Sequence, residues 1–512
     1  MVLATVACWA FWRAMRRIQP LTGTGNVFWW PLWFATLAGF CCVPLALTYN
    51  SLTILLDLLG LTIVMALTTP IGRSSSFQSR YLSTGFLALI IFLLYLAKPP
   101  AVIAFVACIG VLFFCSPELR PWQRRLLVWI YMLCTVFGLV IVVVVATRSG
   151  FSKDRLFNVN GIVFSPSWIL ENLRRYWDEI ARILPSVGRD LLWSAGPTIF
   201  MCALAVSVRR DVLLANSLMP VGLFLLVAAC AGASARQRLW DGSFAAAVSG
   251  EAARFYLLLF CSLLPLWIIC LIRLGSTMPC ISRQQVAWII VLLALPIISS
   301  FGSTNTVYVS ALHERVLWVA GLVLLAGQIG GMLGVPWFEY SVAALISVVA
   351  AGQLFTGHFL RPYMHQPSLW HQTESIDVGF PATTLKVDPQ VAQFLRYVRE
   401  KLDGNGYKSG DDVFGFFNLP GVIYAIGGKE PGAPWYFGTW YHQDDTDSAK
   451  LRRVPLGRRH GAWIITQADV SSFRPQFLDS GIDFPNGYKK IGQTINPTTG
   501  LEIGIWKPIA RH

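Results

Sequence analysis

Long apolar runs follow one another through the first 358 residues of this chain. A helix needs roughly 20 apolar residues to cross the hydrocarbon core of a bilayer, and many of these runs approach that length. Only 13% of the 512 residues are charged, whereas a soluble chain normally carries about a quarter. The sequence therefore predicts a polytopic α-helical membrane protein with about 12 spans. The predicted spans are residues 2–12, 27–47, 52–67, 82–96, 101–115, 126–146, 191–208, 212–231, 255–272, 286–298, 316–331 and 337–355.

Basic residues orient these spans, because short cytoplasmic connections are the ones rich in Arg and Lys. Twelve Arg fall on one set of alternate connections, and far fewer basic residues fall on the other set. The first set is Arg13, Arg16, Arg17, Arg73, Arg80, Arg120, Arg124, Arg125, Arg209, Arg210, Arg273 and Arg283. The chain is accordingly expected to cross the cell inner (plasma) membrane many times. Its N-terminus, the long loop 147–190 and everything after the last span are expected to lie outside the cytoplasm.

The charge balance and the cysteines exclude several classes of function. Residues 1–358 hold 24 Lys and Arg against 12 Asp and Glu, so most of the net charge of +14 lies beside apolar spans. Basic residues beside apolar spans are typical of an oriented membrane protein, so no nucleic-acid partner is predicted. The 11 cysteines fall between Cys8 and Cys280, without metal-ligand spacing, and the seven histidines are scattered. No metal and no cofactor is predicted.

The segment after the last span has a different pattern. Residues 1–358 are predicted to form the transmembrane bundle, 359–384 a linker, and 385–512 an extracytoplasmic α/β domain. A helix is predicted at 388–402 and a hairpin turn at 497–500, with strands at 413–418, 422–426, 463–466 and 502–506. Asp444, Asp445 and Asp447 are interpreted as a solvated acidic turn, with a Ca²⁺ loop as the alternative.

The long external loop is predicted to contain an amphipathic helix at 168–184. Apolar residues recur there at helical spacing, with Arg174, Arg175, Asp178, Glu179 and Arg182 on the other face. A helix of this kind beside a membrane tends to lie in the interface. Two roles stay open for it, a solvated cap on the bundle or a wall of a substrate site.

This architecture resembles the GT-C glycosyltransferases, which include lipid-linked aminoarabinose transferases and protein O-mannosyltransferases. Local similarities are Ser-Phe-Gly-Ser-Thr-Asn at 300–305 and Pro-Gly-Val-Ile-Tyr-Ala-Ile-Gly-Gly at 420–428, with Pro-Trp-Tyr at 434–436. The resemblance implies transfer of a sugar from a polyprenyl phosphate donor at the outer face of the membrane to an external glycan, lipid or protein. Those enzymes carry a catalytic carboxylate between their first two spans. The first span and that loop have no counterpart here, so no residue is assigned as catalytic base.

A lipid phosphate donor requires fixed cations outside the bilayer. The expected ligands are Arg236, Arg238 and Arg254, with Asp241 and Glu251 as nearby acids; lipid headgroup contact or local ion pairing is the alternative role.

Three further residues are candidates for substrate binding. The His313–Glu314 pair is suited to acid/base work or to capping a helix end. Asp57 is an acid well inside a span, a position that is functional by default unless it makes a packing hydrogen bond.

Two other functions compete with the transferase. A non-catalytic assembly subunit would keep the scaffold without the acid loop. A lipid flippase or transporter usually shows several buried charges and an internal repeat, whereas Asp57 stands nearly alone and no repeat is evident.

Overall fold

A computed structural model provides the structure of the chain. It describes residues 2–18, 28–40, 49–68, 77–116, 166–207, 212–274, 282–300, 306–362, 367–379, 381–416, 419–429, 431, 451–452, 454–467 and 474–509. The chain divides into two compact units, one built from residues 1–153 with 164–363 and the other from 154–163 with 364–512.

The described part of the first unit is helical. Its helices are α1 (Val2–Ile18), α2 (Trp29–Gly39), α3 (Tyr49–Thr68), α4 (Phe77–Ala97), α5 (Pro99–Cys115), α6 (Pro166–Ser207), α7 (Val212–Arg236), α8 (Phe244–Val248), α9 (Glu251–Leu274), α10 (Arg283–Ser299), α11 (Val307–His313), α12 (Arg315–Leu333) and α13 (Trp337–Phe355). A short π-helix, Thr356–Leu360, continues α13.

Six of the described helices are long and apolar enough to cross a membrane. They contain the segments Ser51–Thr68, Leu173–Ser207, Ser217–Arg236, Glu251–Ile272, Arg315–Leu333 and Trp337–Leu360. Three shorter apolar helical segments accompany them, Leu82–Leu94, Ala104–Cys115 and Arg283–Ser299. The described helices are therefore consistent with a membrane protein. The span predicted at 126–146 lies outside the described residues.

The amphipathic helix and the span that follows it are one continuous helix. The sequence predicted an interruption at 185–190, but α6 runs for 42 residues with Pro185 and Pro197 inside it. A buried stripe at helical spacing passes through the predicted break, including Ile183, Val187 and Asp190. Helix α6 packs on α9. A proline inside a helix removes one backbone hydrogen bond and its ring crowds the carbonyl four residues earlier. Burial of this stripe against α9 offsets that cost.

The second unit combines two sheets with short helices. Its elements are β1 (Glu374–Val378), β2 (Thr383–Val387), α14 (Pro389–Asp403), β3 (Val413–Phe416), α15 (Pro420–Ala425), α16 (Leu456–Gly461), β4 (Trp463–Gln467), α17 (Arg474–Asp479), β5 (Tyr488–Ile495) and β6 (Glu502–Pro508). Strands β1 and β2 form an antiparallel pair. The larger sheet has the order β3-β4-β6-β5, with β3 and β4 parallel and the other pairs antiparallel.

Alternating side chains give the larger sheet two apolar faces. Val413 and Ile465 pack with α14 and α15 on one side. Phe414, Phe416 and Ile464 pack with an aromatic cluster on the other. This alternation follows from the two-residue period of a strand.

The sequence predicted this unit in part. The helix predicted at 388–402 is confirmed as α14, and the Asp388 side chain caps it by accepting hydrogen bonds from the Gln390 and Val391 amides. The strand predicted at 422–426 is wrong, because Pro420 opens a short helix there. Strand β1 lies in the predicted linker 359–384. Asp444, Asp445 and Asp447 lie outside the described residues.

Candidate functional site

A polar cavity of about 210 Å³ lies between α6, the N-terminus of α9 and α11. Its lining is largely charged or hydroxyl-bearing, which is unusual for a helical bundle with apolar helices. The lining residues are Glu179, Arg182, Ile183, Ser186, Val248, Ser249, Glu251, Arg254, Thr306 and Tyr308. Of the residues predicted from the sequence as site residues, Glu251 and Arg254 lie on this cavity.

Tight backbone turns bring the three walls together. Gly250 joins α8 to α9 with a positive φ of 81°. A Cβ at Gly250 would come within 2.8 Å of both Ile183 and Tyr308, so glycine permits the close approach. Thr306 caps α11 by accepting a hydrogen bond from the Val309 amide at 3.3 Å. Gly250 and Thr306 therefore determine where α9 and α11 begin at the cavity wall.

Glu179 fastens the start of α11 to α6. Its Oε2 accepts a 2.6 Å hydrogen bond from the Val307 amide, and its backbone carbonyl accepts one of 2.9 Å from the Tyr308 hydroxyl. Burial and the Glu179 carboxylate raise the pKa of Tyr308, while Arg182 acts in the opposite direction. The Tyr308 hydroxyl therefore stays protonated at neutral pH and can donate a hydrogen bond.

Arg254 is already engaged in a bidentate ion pair. Its Nε and Nη2 donate to the two carboxylate oxygens of Asp190 at 2.9 and 2.7 Å. Asp190 is fully buried, and the Arg254 side chain is 11% exposed. Arg182 and Glu251 are instead exposed at the cavity. Arg182 is thus an accessible cation of the cavity, and Glu251 is an accessible carboxylate.

The cavity helix turns apolar side chains outward. Leu170, Leu173, Trp177 and Leu184 of α6 are more than half exposed, while Glu179 and Asp190 face the bundle. Arg174, Asp178 and Arg182 are exposed on the same helix. A helix that exposes both apolar and charged side chains suits the membrane interface.

The remaining members of the basic loop lie apart from the cavity lining. The Arg236 guanidinium stacks over the Trp193 ring, 4.9 Å from its centroid. Arg238 is exposed and has a positive φ of 53°. Asp241 accepts hydrogen bonds from the Ser243 amide at 2.9 Å and from Arg361 at 3.1 Å. The structure thus separates Arg236, Arg238 and Asp241 from Glu251 and Arg254.

Asp57 and Glu314 interact electrostatically with each other and with Lys98, and these three side chains form a second polar group. All three side chains are buried, and each carboxyl interacts electrostatically with Lys98. Ser299 donates a 2.6 Å hydrogen bond to Glu314 Oε2. Lys98 and Glu314 lie just outside the membrane-crossing segments. Burial raises the pKa of Glu314, opposed by Lys98 and Ser299, and burial lowers the pKa of Lys98, opposed by the two carboxyls.

His313 is buried at the end of α11, next to a hydrogen-bonding centre that sequence reasoning missed. Arg315 is fully buried and donates to Gln353 Oε1 at 2.7 Å. Tyr256 donates to the same oxygen at 3.0 Å, and the Gln353 amide donates to the carbonyls of Leu239 and Ala252. These bonds join α9, α12 and α13.

A second cavity, of about 300 Å³, is almost entirely apolar and lies between α9, α10 and α12. Its walls include Phe260, Leu293 and Leu322, and Trp318 stands among them. Within the described residues no group of three or more His, Cys, Asp and Glu is placed to hold a metal ion.

Comparisons with known proteins found no match to a family model, to a curated protein or to a solved structure. Two polar groupings and one apolar cavity are therefore the candidate functional features of the described residues.

Proposed function

We propose that this chain is a membrane glycosyltransferase that takes its sugar from a polyprenyl phosphate donor at the outer face of the membrane. The observation that carries the proposal is the polar cavity on one side of α6, whose other side exposes Leu173, Trp177 and Leu184. A ligand with an anionic head and a long hydrocarbon chain suits such a boundary.

Arg182 is proposed as the first ligand of the donor phosphate. Its Nε is held by the Asp178 carbonyl at 3.3 Å, and the side chain is exposed at the cavity. Arg254 lies on the same cavity in an orientation fixed by Asp190. Guanidinium groups form charge-assisted hydrogen bonds with phosphate oxygens. Arg182 therefore supplies the exposed cation and Arg254 the ion-paired one.

Glu251 is proposed to activate the acceptor. Glu179 has its Oε2 occupied by the Val307 amide, whereas Glu251 is exposed in the first turn of α9. In the transfer step the acceptor hydroxyl oxygen forms a bond to the anomeric carbon. The bond from that carbon to the phosphate oxygen breaks, polyprenyl phosphate leaves, and Glu251 takes the hydroxyl proton.

The hydrocarbon chain of the donor is assigned to the apolar cavity. Helix α9 lines the polar cavity with Glu251 and Arg254 and the apolar cavity with Leu257 and Phe260. Helix α9 thus contributes to the binding surface for the donor phosphate and to the binding surface for its hydrocarbon chain.

The membrane placement is part of the same proposal. About 12 spans, both termini outside and an extracytoplasmic C-terminal domain would put the polar cavity at the outer surface. This placement is supported by the alternation of the basic connections. It is also supported by the position of Glu179, Glu251 and Thr306, which line one cavity. They come from the loop 147–190 and from the connections 232–254 and 299–315 between predicted spans, which alternate with the Arg-rich connections.

Arg182→Ala tests the phosphate assignment. Losing a charge-assisted hydrogen bond costs about 1.5–3 kcal/mol, so binding of a labelled polyprenyl phosphate sugar should weaken roughly 10- to 100-fold. Arg236→Ala is the matched control, because it removes the same charge from a position beside Trp193. Glu251→Gln should keep donor binding and lose transfer. Equal binding by the parent and the Arg182 variant would refute the assignment.

A non-catalytic assembly subunit is the second candidate. The observation in its favour is that Arg254 and Glu179 have protein partners within the cavity wall, as in a scaffold. Absence of donor binding by the parent protein would support this candidate over the transferase.

A further inference from the structure

Three buried side chains, two acidic and one basic, interact electrostatically within the bundle. Asp57 is on α3, Lys98 lies between α4 and α5, and Glu314 lies between α11 and α12; they are 1%, 6% and 2% exposed. Helix α3 packs against α4, α5 and α11, the helices that border Lys98 and Glu314. The transferase proposal does not use this cluster.

The two carboxyls differ in their hydrogen bonds. Glu314 accepts from the Ser299 hydroxyl at 2.6 Å. Neither carboxyl oxygen of Asp57 has a hydrogen-bond partner among the residues that the structure describes. A buried carboxylate without donors is strongly unfavourable, because nothing replaces the water it has lost. A proton on Asp57 removes this charge, and Asp57 is the carboxyl with fewer hydrogen-bond donors.

The net charge of the three side chains also favours one bound proton. With all three groups ionised the cluster has a net charge of −1, and one bound proton brings it to zero. Lys98 balances one carboxylate only. Cys108 of α5 also interacts with both carboxyls and is an uncharged thiol at neutral pH. His313 and Arg315 flank Glu314 in the chain and are buried. Arg315 donates to the Leu312 carbonyl and to Gln353 Oε1, so these N–H groups are directed to neutral acceptors. A buried cluster is most stable when its charges cancel.

We propose that Asp57 and Glu314 together hold one exchangeable proton beside Lys98, with the proton on Asp57, and that the cluster is a proton-binding site of the bundle. Release of this proton leaves two like charges, one on α3 and one at the end of α11. The site therefore links proton occupancy to the packing of these two helices.

An apolar carbodiimide, dicyclohexylcarbodiimide, tests the proposal on the full-length protein. It adds across a protonated carboxyl group to give a stable N-acylurea, with no leaving group and no other reactant. Peptide mass spectrometry locates the adduct. Near neutral pH the adduct is expected on Asp57, falling as the pH is raised. An unlabelled Asp57 in the unmodified protein would overturn the proposal.

Glu314→Gln separates a shared proton from simple burial. This substitution leaves Asp57 and Lys98 as a neutral pair, so Asp57 should hold its proton less strongly and its label should fall off at lower pH than in the parent. Equal labelling of Asp57 in this variant would mean that burial alone protonates it, and the shared site would be refuted. Glu339→Gln removes another buried carboxyl, on α13, and should leave the Asp57 label unchanged.

Lys98→Met provides an independent second measurement. Without the cation both carboxyls favour protons more strongly, so labelling of Asp57 should persist to higher pH than in the parent. A shift to lower pH would contradict the proposed charge balance. Neither outcome depends on donor binding, so the proton site and the transferase proposal can fail separately.

Discussion

Replacing Asp190 with alanine is expected to destabilise the first unit by about 3–5 kcal/mol, because it strands a buried cation. The Asp190–Arg254 pair joins α6 to α9 through hydrogen bonds of 2.9 and 2.7 Å. Asp190 is fully buried, so its carboxylate has exchanged all its water for these contacts. The Arg254 side chain borders the polar cavity and is 11% exposed, which places the expected loss toward the lower end, about 3 kcal/mol.

A double-mutant cycle measures the pair itself. The free energy of unfolding would be determined in detergent for Asp190→Ala, Arg254→Ala and the double variant. The double variant leaves no unpaired charge, so it should be less destabilised than the sum of the single variants by about 2 kcal/mol or more. Glu251→Ala is the control, since Glu251 is exposed on the same cavity; its effect should stay within about 0.5 kcal/mol.

Additive effects would refute this account. If each single variant cost under about 1 kcal/mol, the pair would behave as an exposed ion pair, and Arg254 would be free to bind a ligand. A large coupling would instead show that Arg254→Ala confounds stability with ligand binding. Arg182→Ala is then the cleaner test of the donor site.

Two more predictions concern packing and topology. Gly242→Ala should destabilise the bundle by about 1–3 kcal/mol, because its Cβ would lie 2.1 Å from the Gln353 carbonyl oxygen. Gly232→Ala is the matched control, since a Cβ there enters open space on α7. In thermal unfolding this control should be neutral or stabilising. A phosphatase fused after Leu360 should be active and one fused after Arg210 inactive, with fluorescent-protein fusions giving the reverse; fluorescence after Leu360 would contradict the proposed orientation.

The positions of most helices followed from the sequence because apolar length is a local property. The predicted runs at 52–67, 316–331 and 337–355 fall within α3, α12 and α13. Continuity through Pro185 was not predictable in the same way. It depends on the packing of α6 along α9, and the sequence of α6 alone does not contain that information.

The candidate site was predictable only in pieces. Asp57 was predicted as an acid inside a span, and Glu314 was predicted because it follows a histidine. Their electrostatic interaction depends on how α3 packs against α11. Tyr308 has no sequence signal that separates it from an ordinary core aromatic. Its role at the cavity follows from its hydrogen bond to the Glu179 carbonyl.

Helix α11 connects the two polar groupings and distinguishes the functional hypotheses. It has seven residues, so Tyr308 at the cavity and Glu314 at the proton site lie about 9 Å apart along its axis at 1.5 Å per residue. A transferase needs the cavity to bind phosphate whether or not the proton exchanges. A proton-coupled transporter needs both, since movement of α11 would have to link them. An assembly subunit needs neither. Donor binding and Asp57 labelling, measured on the same protein preparation, therefore separate the assembly subunit from the other two, and transfer of the labelled sugar to an acceptor then separates the transferase from the transporter.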